Sequence, residues 1–132
     1  MTDYTELEKE VDVLDDTIWD MASKVWDFAE LGFEEQKSSA YESAVLEKNG
    51  FKITDRGVGG IDTSWVASWG SGSPVLGILV EFDAIPGLGN DTVPKKTPAK
   101  NGNTNGHGCG HNLIGSGAIG AALALKSHLE KE

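Results

Sequence analysis

The run Asn105-Gly106-His107-Gly108-Cys109-Gly110-His111-Asn112 alternates glycine with imidazole and thiol side chains. His and Cys are both good ligands for zinc-like ions, and glycine at every second position removes the Cβ clashes that would keep neighbouring ligands from converging. Cys109 and His111, with only Gly110 between them, can reach one ion. A zinc site needs about four donors, so this segment leaves the shell unfinished and other parts of the chain must contribute.

The nearest candidates are carboxylates. Val75-Leu76-Gly77-Ile78-Leu79-Val80 is apolar on both faces, as expected of a central strand covered by helices, and it stops abruptly at Glu81-Phe82-Asp83. Open α/β sheets bind their ligands at the carboxyl ends of such strands. Asp83 could add an oxygen ligand or orient a ligand imidazole. Glu81 and Asp83 could equally mark no more than the point where the strand leaves the core.

Two rival chemistries lie in the same region. Cys109 at the mouth of a helix could be a nucleophile with His107 or His111 as its base, although such pairs usually come from separate segments. Gly115-Ser116-Gly117-Ala118-Ile119-Gly120 spells a dinucleotide fingerprint. It follows a metal-like loop rather than a strand, which argues against nucleotide binding. His128 lies 17 residues beyond His111. On a continuous helix that is about 25 Å, so His128 is assigned to the surface near a helix C-terminus.

The elements that must hold these residues can be read from periodicity. Leu7, Val11, Leu14, Ile18, Met21, Ala22, Val25, Trp26 and Ala29 predict one amphipathic helix over residues 6 to 30, packed on a sheet. A second helix is predicted from about Ser38 to Lys48, closed by Asn49-Gly50. Phe51 to Asp55 reads as a short strand and Gly57-Val58-Gly59-Gly60 as a joint. Thr63 to Trp69 and Ser71 to Val80 read as a hairpin about Gly70-Ser71-Gly72-Ser73. Residues 84 to 106 form a long loop, with Lys95 to Lys100 a disordered excursion. The last helix starts at His111 or Asn112, with Asn112 as N-cap, and runs to about Glu130. Gly115, Gly117 and Gly120 each cost about 1 kcal/mol in a helix, which implies close approach to the sheet or the site.

Composition narrows the function classes. With 132 residues and 39% hydrophobic content, one core and one domain are expected. A net charge of −10 disfavours nucleic acid and anionic membranes as partners. The acidic start lacks the basic flank and apolar core of a signal peptide, and no apolar run is long enough for a membrane span. A single cysteine excludes an internal disulfide. A cytoplasmic location is expected.

Three segments carry a resemblance to a known family. Ala29-Glu30-Leu31-Gly32-Phe33-Glu34-Glu35 is similar to a segment following that family's first helix, with Ala29 in place of a proline. Glu81-Phe82-Asp83-Ala84-Ile85-Pro86 resembles its D-A-L-P stretch, with Ile for Leu. His107-Gly108-Cys109-Gly110-His111-Asn112 resembles the H-x-C-G-H-D motif of one branch, with Asn for Asp. The family is the aminoacylase/carboxypeptidase metallopeptidases, and the branch is their amidohydrolases.

The resemblance implies an α/β fold forming part of a three-layer α/β/α sandwich, with residues 1–132 as the N-terminal part of a catalytic domain. It implies a site for divalent zinc or manganese with Cys109 and His111 as ligands and Asp83 orienting the site. Where other branches place a metal-binding His, this chain has Glu81, so the resemblance implies that this ligand is absent here, as it is throughout the branch. The implied activity is hydrolysis of amide bonds in N-acyl amino acids, aminobenzoyl-glutamate-like conjugates or small peptides by metal-activated water. The family's general base is an adjacent Glu pair beyond the metal motif. No such pair follows His111, and Glu34-Glu35 stands in the wrong place to be equated with it. Little activity is therefore expected of these residues alone, whether they are a truncated piece or a natural short relative. The alternative is a non-catalytic metal-binding or interaction module that forms homo-oligomers through an exposed sheet edge.

Overall fold

The apolar period of the first thirty residues resolves into two helices rather than one. In the computed structural model, which describes residues 4–131, α1 spans Thr5–Val13 and α2 spans Asp15–Phe28. The break falls at Leu14, with φ −93° and ψ 0°, at the edge of the helical basin. α1 and α2 both pack against the last helix, and the bend lets each follow it. α2 buries Met21, Ala22 and Val25, whereas α1 buries none of its residues. α2 stops at Ala29, whose left-handed conformation (φ 41°, ψ 50°) turns the chain toward Glu30.

Helix α3, Gln36–Lys48, begins two residues before the predicted start because Glu30 caps it from outside. The Glu30 carboxylate accepts the N–H groups of Lys37 at 3.0 Å and Ser38 at 2.8 Å, together with the Ser38 hydroxyl at 2.9 Å. An anion that takes orphan donors at the positive end of a helix stabilises that end. The helix closes at Asn49-Gly50 as expected, with Gly50 at φ +88°.

The inner face of α3 is polar, being made of Ser38, Ser39, Glu42 and Ser43 with Leu46. The serines are satisfied. Ser39 donates to the Thr63 carbonyl at 2.6 Å, and Ser43 accepts from Arg56 at 3.2 Å. Glu42 is fully buried, and neither of its carboxylate oxygens has a hydrogen-bond partner.

The hairpin differs from the predicted one. Strand β1, Lys52–Arg56, pairs antiparallel with β2, Trp65–Ser68, around a 3-10 turn at Val58–Gly60. Gly57, Gly59 and Gly60 adopt positive φ there, which supplies the reversal that sequence reading placed at residues 70–73. β2 is thereby committed to β1, and the second half of the predicted hairpin has no strand beside it. Residues 75–80 accordingly lie outside any helix or strand. Val75 and Leu79 are each 88% exposed, so the expectation of a doubly covered central strand is overturned.

Residues 84–106 contain no helix or strand, but the loop is tied down. Ala84 bridges Leu31 in parallel and Ile85 bridges Gly106 in antiparallel fashion. The predicted disordered stretch is cross-linked to Asn90, which accepts from the Thr97 N–H at 2.7 Å, and Lys100 pairs with Asp91 at 3.1 Å. Asn103 and Asn105 fasten the return leg to the carbonyls of Phe28 and Ala29 at 3.1 and 3.3 Å. Side-chain amides thus replace the missing ladder bonds.

Helix α4, His111–Leu129, is the longest described element, and Met21, Leu46, Ile119 and Leu123 form the core between it, α2 and α3. Trp65, Ala67 and Val80 close that core from the hairpin side. The described residues therefore form a mixed α/β fold of four helices and one two-stranded antiparallel sheet. No helix among them is long and apolar enough to cross a membrane.

Candidate metal centre at the start of the last helix

Gly110, at φ 78° and ψ 23°, is the residue that turns the chain into α4. Its carbonyl accepts the N–H groups of Leu113 and Ile114 at 2.9 and 3.0 Å. The predicted cap, Asn112, lies inside the helix and is buried. Its amide donates to the Ala22 carbonyl at 3.1 Å, which joins α4 to α2. That bond needs a side-chain donor: an ionised Asp at this position would set a carboxylate against a carbonyl.

The two motif histidines separate into different tasks. His107 is 6% exposed and tilted against Trp26, and its Nε2–H donates to the Val25 carbonyl at 2.9 Å. Burial pushes its pKa below the usual range, against an opposing pull from the Val25 carbonyl. His107 anchors the loop to α2. Its other nitrogen, Nδ1, is buried without a hydrogen-bond partner, and among the described residues no contact joins it to the exposed Cys109.

His111 stands between two carboxylates. Its Nδ1 lies 2.8 Å from Asp83 Oδ1, and its Nε2 lies 3.2 Å from Glu81 Oε2. A neutral imidazole donates one hydrogen bond. With Nδ1–H given to Asp83, the Nε2 lone pair faces a carboxylate oxygen, and that contact calls for a cation between them. A divalent metal ion would supply that cation.

Backbone contacts hold the two carboxylates in place. The Ala84 N–H donates to the Glu30 carbonyl at 2.7 Å, fixing the peptide after Asp83. Gly32, in the Ala29–Glu35 segment, lies against Asp83: a Cβ built on it would stand 3.9 Å from that of Asp83. Gly115, one turn into α4, lies so close to the Glu81 carbonyl oxygen that a Cβ would fall 2.3 Å from it. The expected close approach thus holds at Gly115. Gly120 is packed on the Ile18 side chain. Gly117 meets nothing within 4 Å, and the structure gives no packing reason for it. The Gly115-to-Gly120 fingerprint lies wholly within α4.

Cys109 is exposed on the turn ahead of Gly110. Among the described residues, no three His, Cys, Asp or Glu side chains gather as a metal cluster. The donor chemistry fits an open half-site. One imidazole is fixed through its far nitrogen, and a carboxylate lies 3.2 Å from its near one. That is close to the spacing of two ligands each bonded at about 2.0–2.2 Å to a shared tetrahedral ion.

Sequence reading left Glu81 evenly balanced between a place in a ligand-binding region and a strand end, and the resemblance counted no metal ligand there; in the structure its carboxylate lies 3.2 Å from His111 Nε2. Glu42 was missed altogether. Its only signal is a carboxylate on the serine-rich face of a helix whose opposite face is wet.

No family model matches the chain, and no solved structure matches it. Among curated proteins, a p-aminobenzoyl-glutamate hydrolase subunit of Escherichia coli (strain K12) is 42% identical over 112 residues, which are 85% of this chain and 23% of that protein. The chain thus spans about a quarter of the length of the curated relative that it matches. The likeness extends across most of this chain, which is thus similar in sequence to this hydrolase subunit.

Proposed function

We propose that this chain forms part of a divalent-metal amide hydrolase, cleaving aminobenzoyl-glutamate or related N-acyl amino acids. In this reading His111 Nε2 and the Glu81 carboxylate hold one face of a zinc or manganese site, and Cys109, exposed on the adjoining turn, would join them as a ligand only after the turn moves. The observation that carries it is the imidazole held between two carboxylate oxygens, at 2.8 Å on Nδ1 and 3.2 Å on Nε2. A bound ion would polarise the amide carbonyl and lower the pKa of attacking water. Asp83 fixes the tautomer and aim of His111, and His107 and Asn112 lock the glycine-rich turn onto α2. The remaining donors and the general base belong to polypeptide outside these residues, in keeping with the small share of the relative that the chain covers. In the complete protein the fold would be a three-layer α/β/α sandwich. The 132 residues alone would then bind metal with little turnover, because loss of a general base costs about 10²- to 10⁴-fold in rate.

Zinc titration of Asp83→Asn tests the assignment. Replacing a carboxylate that orients a ligand imidazole lowers metal affinity by about 10- to 100-fold. Cys109→Ala, which removes a donor, should also weaken binding. Zinc affinity unchanged in both variants would remove the site, and robust hydrolysis of aminobenzoyl-glutamate by the purified chain would remove the claim that it is incomplete.

A further inference from the structure

Gly115 leaves a gap where a side chain would stand, and two groups from other parts of the chain meet in it. The Glu81 carbonyl oxygen lies 2.3 Å, and Glu42 Oε1 3.4 Å, from the point that a Cβ on Gly115 would occupy. Glu42 comes from α3 and is fully buried, whereas Gly115 belongs to α4. The missing side chain lets both groups come together one turn into the helix that His111 begins.

Each of the two groups lacks what the other can give. An ionised Glu42 would only accept hydrogen bonds, and neither of its oxygens receives one. Arg56 reaches the next residue, Ser43, at 3.2 Å and forms its ion pair with Glu47 instead. Among the described residues, no backbone N–H donates to the Glu81 carbonyl. A buried charge without a partner costs far more than a buried neutral acid, and the acid has one O–H to donate. A side chain that only filled this space would be apolar.

We propose that Glu42 is a positioning residue: as the neutral acid it donates to the Glu81 carbonyl beside Gly115, and so holds that peptide with the Glu81 side chain facing His111. The consequence for zinc rests on the proposed metal site, whereas the hold on the Glu81 peptide does not.

Glu42→Gln and Glu42→Met, compared at neutral pH, separate a donor from mere bulk. Both keep a side chain of similar length, and only Gln keeps a donor. In the metal-free chain, Glu42→Gln should leave the His111 ring resonances unchanged. It should also show an NMR coupling across the hydrogen bond, from its side-chain nitrogen to the Glu81 carbonyl carbon. Glu42→Met should shift the His111 resonances and bind zinc about tenfold more weakly. It should unfold in urea at no lower concentration than the parent, so lost stability does not explain the weaker binding. A parent chain that holds no zinc would remove the metal site alone and leave the resonances and the coupling to decide. Glu42→Met indistinguishable from the parent, Glu42→Gln as impaired as Glu42→Met, or no coupling in Glu42→Gln would each overturn the proposal.

Discussion

Raising the pH from 5 to 8 should destabilise the protein by a few kcal/mol through one residue, Glu42, and Glu42→Gln should remove most of that slope. Burial without a hydrogen-bond partner pushes the Glu42 carboxyl from its ordinary 4.5 up to about 8. Below 4.5 the folded and unfolded chains both carry the proton, and the stabilisation is complete. Between 4.5 and about 8 the unfolded chain is ionised while the folded chain is not, so stability falls as pH rises. Above 8 both are ionised and the loss levels off. A gap of this size corresponds to roughly 3–6 kcal/mol. Urea unfolding of parent and Glu42→Gln at pH 5 and pH 8 checks it. The two proteins should diverge as pH rises, with the variant the more stable at pH 8. Parallel pH profiles would show that Glu42 is ionised in the fold.

Gly115→Ala and Gly117→Ala should change stability in opposite directions. Alanine is favoured over glycine in a helix by about 1 kcal/mol, so both substitutions would stabilise if propensity decided the outcome. At Gly117 nothing lies within 4 Å, and that gain is expected. At Gly115 the added Cβ would fall 2.3 Å from the Glu81 carbonyl oxygen and 3.4 Å from Glu42 Oε1. Backbone cannot swing aside as a side chain does, so α4 and the Glu81 peptide must separate, at a net cost of about 1–3 kcal/mol. That separation also pulls the Glu81 carboxylate away from His111, so zinc affinity should fall in Gly115→Ala and stay unchanged in Gly117→Ala. Thermal unfolding with zinc titration of both variants measures the two effects, and equal stabilisation would disprove the close approach.

The parts of this protein legible in its sequence are those whose causes are local. The stop at Asn49-Gly50, the start of α4 at His111 and the loop over residues 84–106 follow from glycine conformation, apolar period and proline content. Asp83 as the partner that orients an imidazole was one of two roles open to it, and the 2.8 Å contact with His111 matches that role. What could not be read depends on distant partners. Glu30 starts α3 from outside the helix, and the amide of Asn112 reaches back to Ala22 rather than capping its own helix. His107 and His111 have the same glycine neighbours in sequence, yet one faces the Val25 carbonyl and the other faces two carboxylates. The strand predicted over residues 75–80 has the right side chains for a buried sheet, but none of the described residues pairs with it.

Equilibrium dialysis of the purified chain against zinc at neutral pH, beside His111→Ala, tests the metal centre most directly. Retention of one equivalent by the parent, and its loss in the variant, is the predicted result. Equal retention by both, or none by the parent, would contradict the assignment of His111 as a metal ligand.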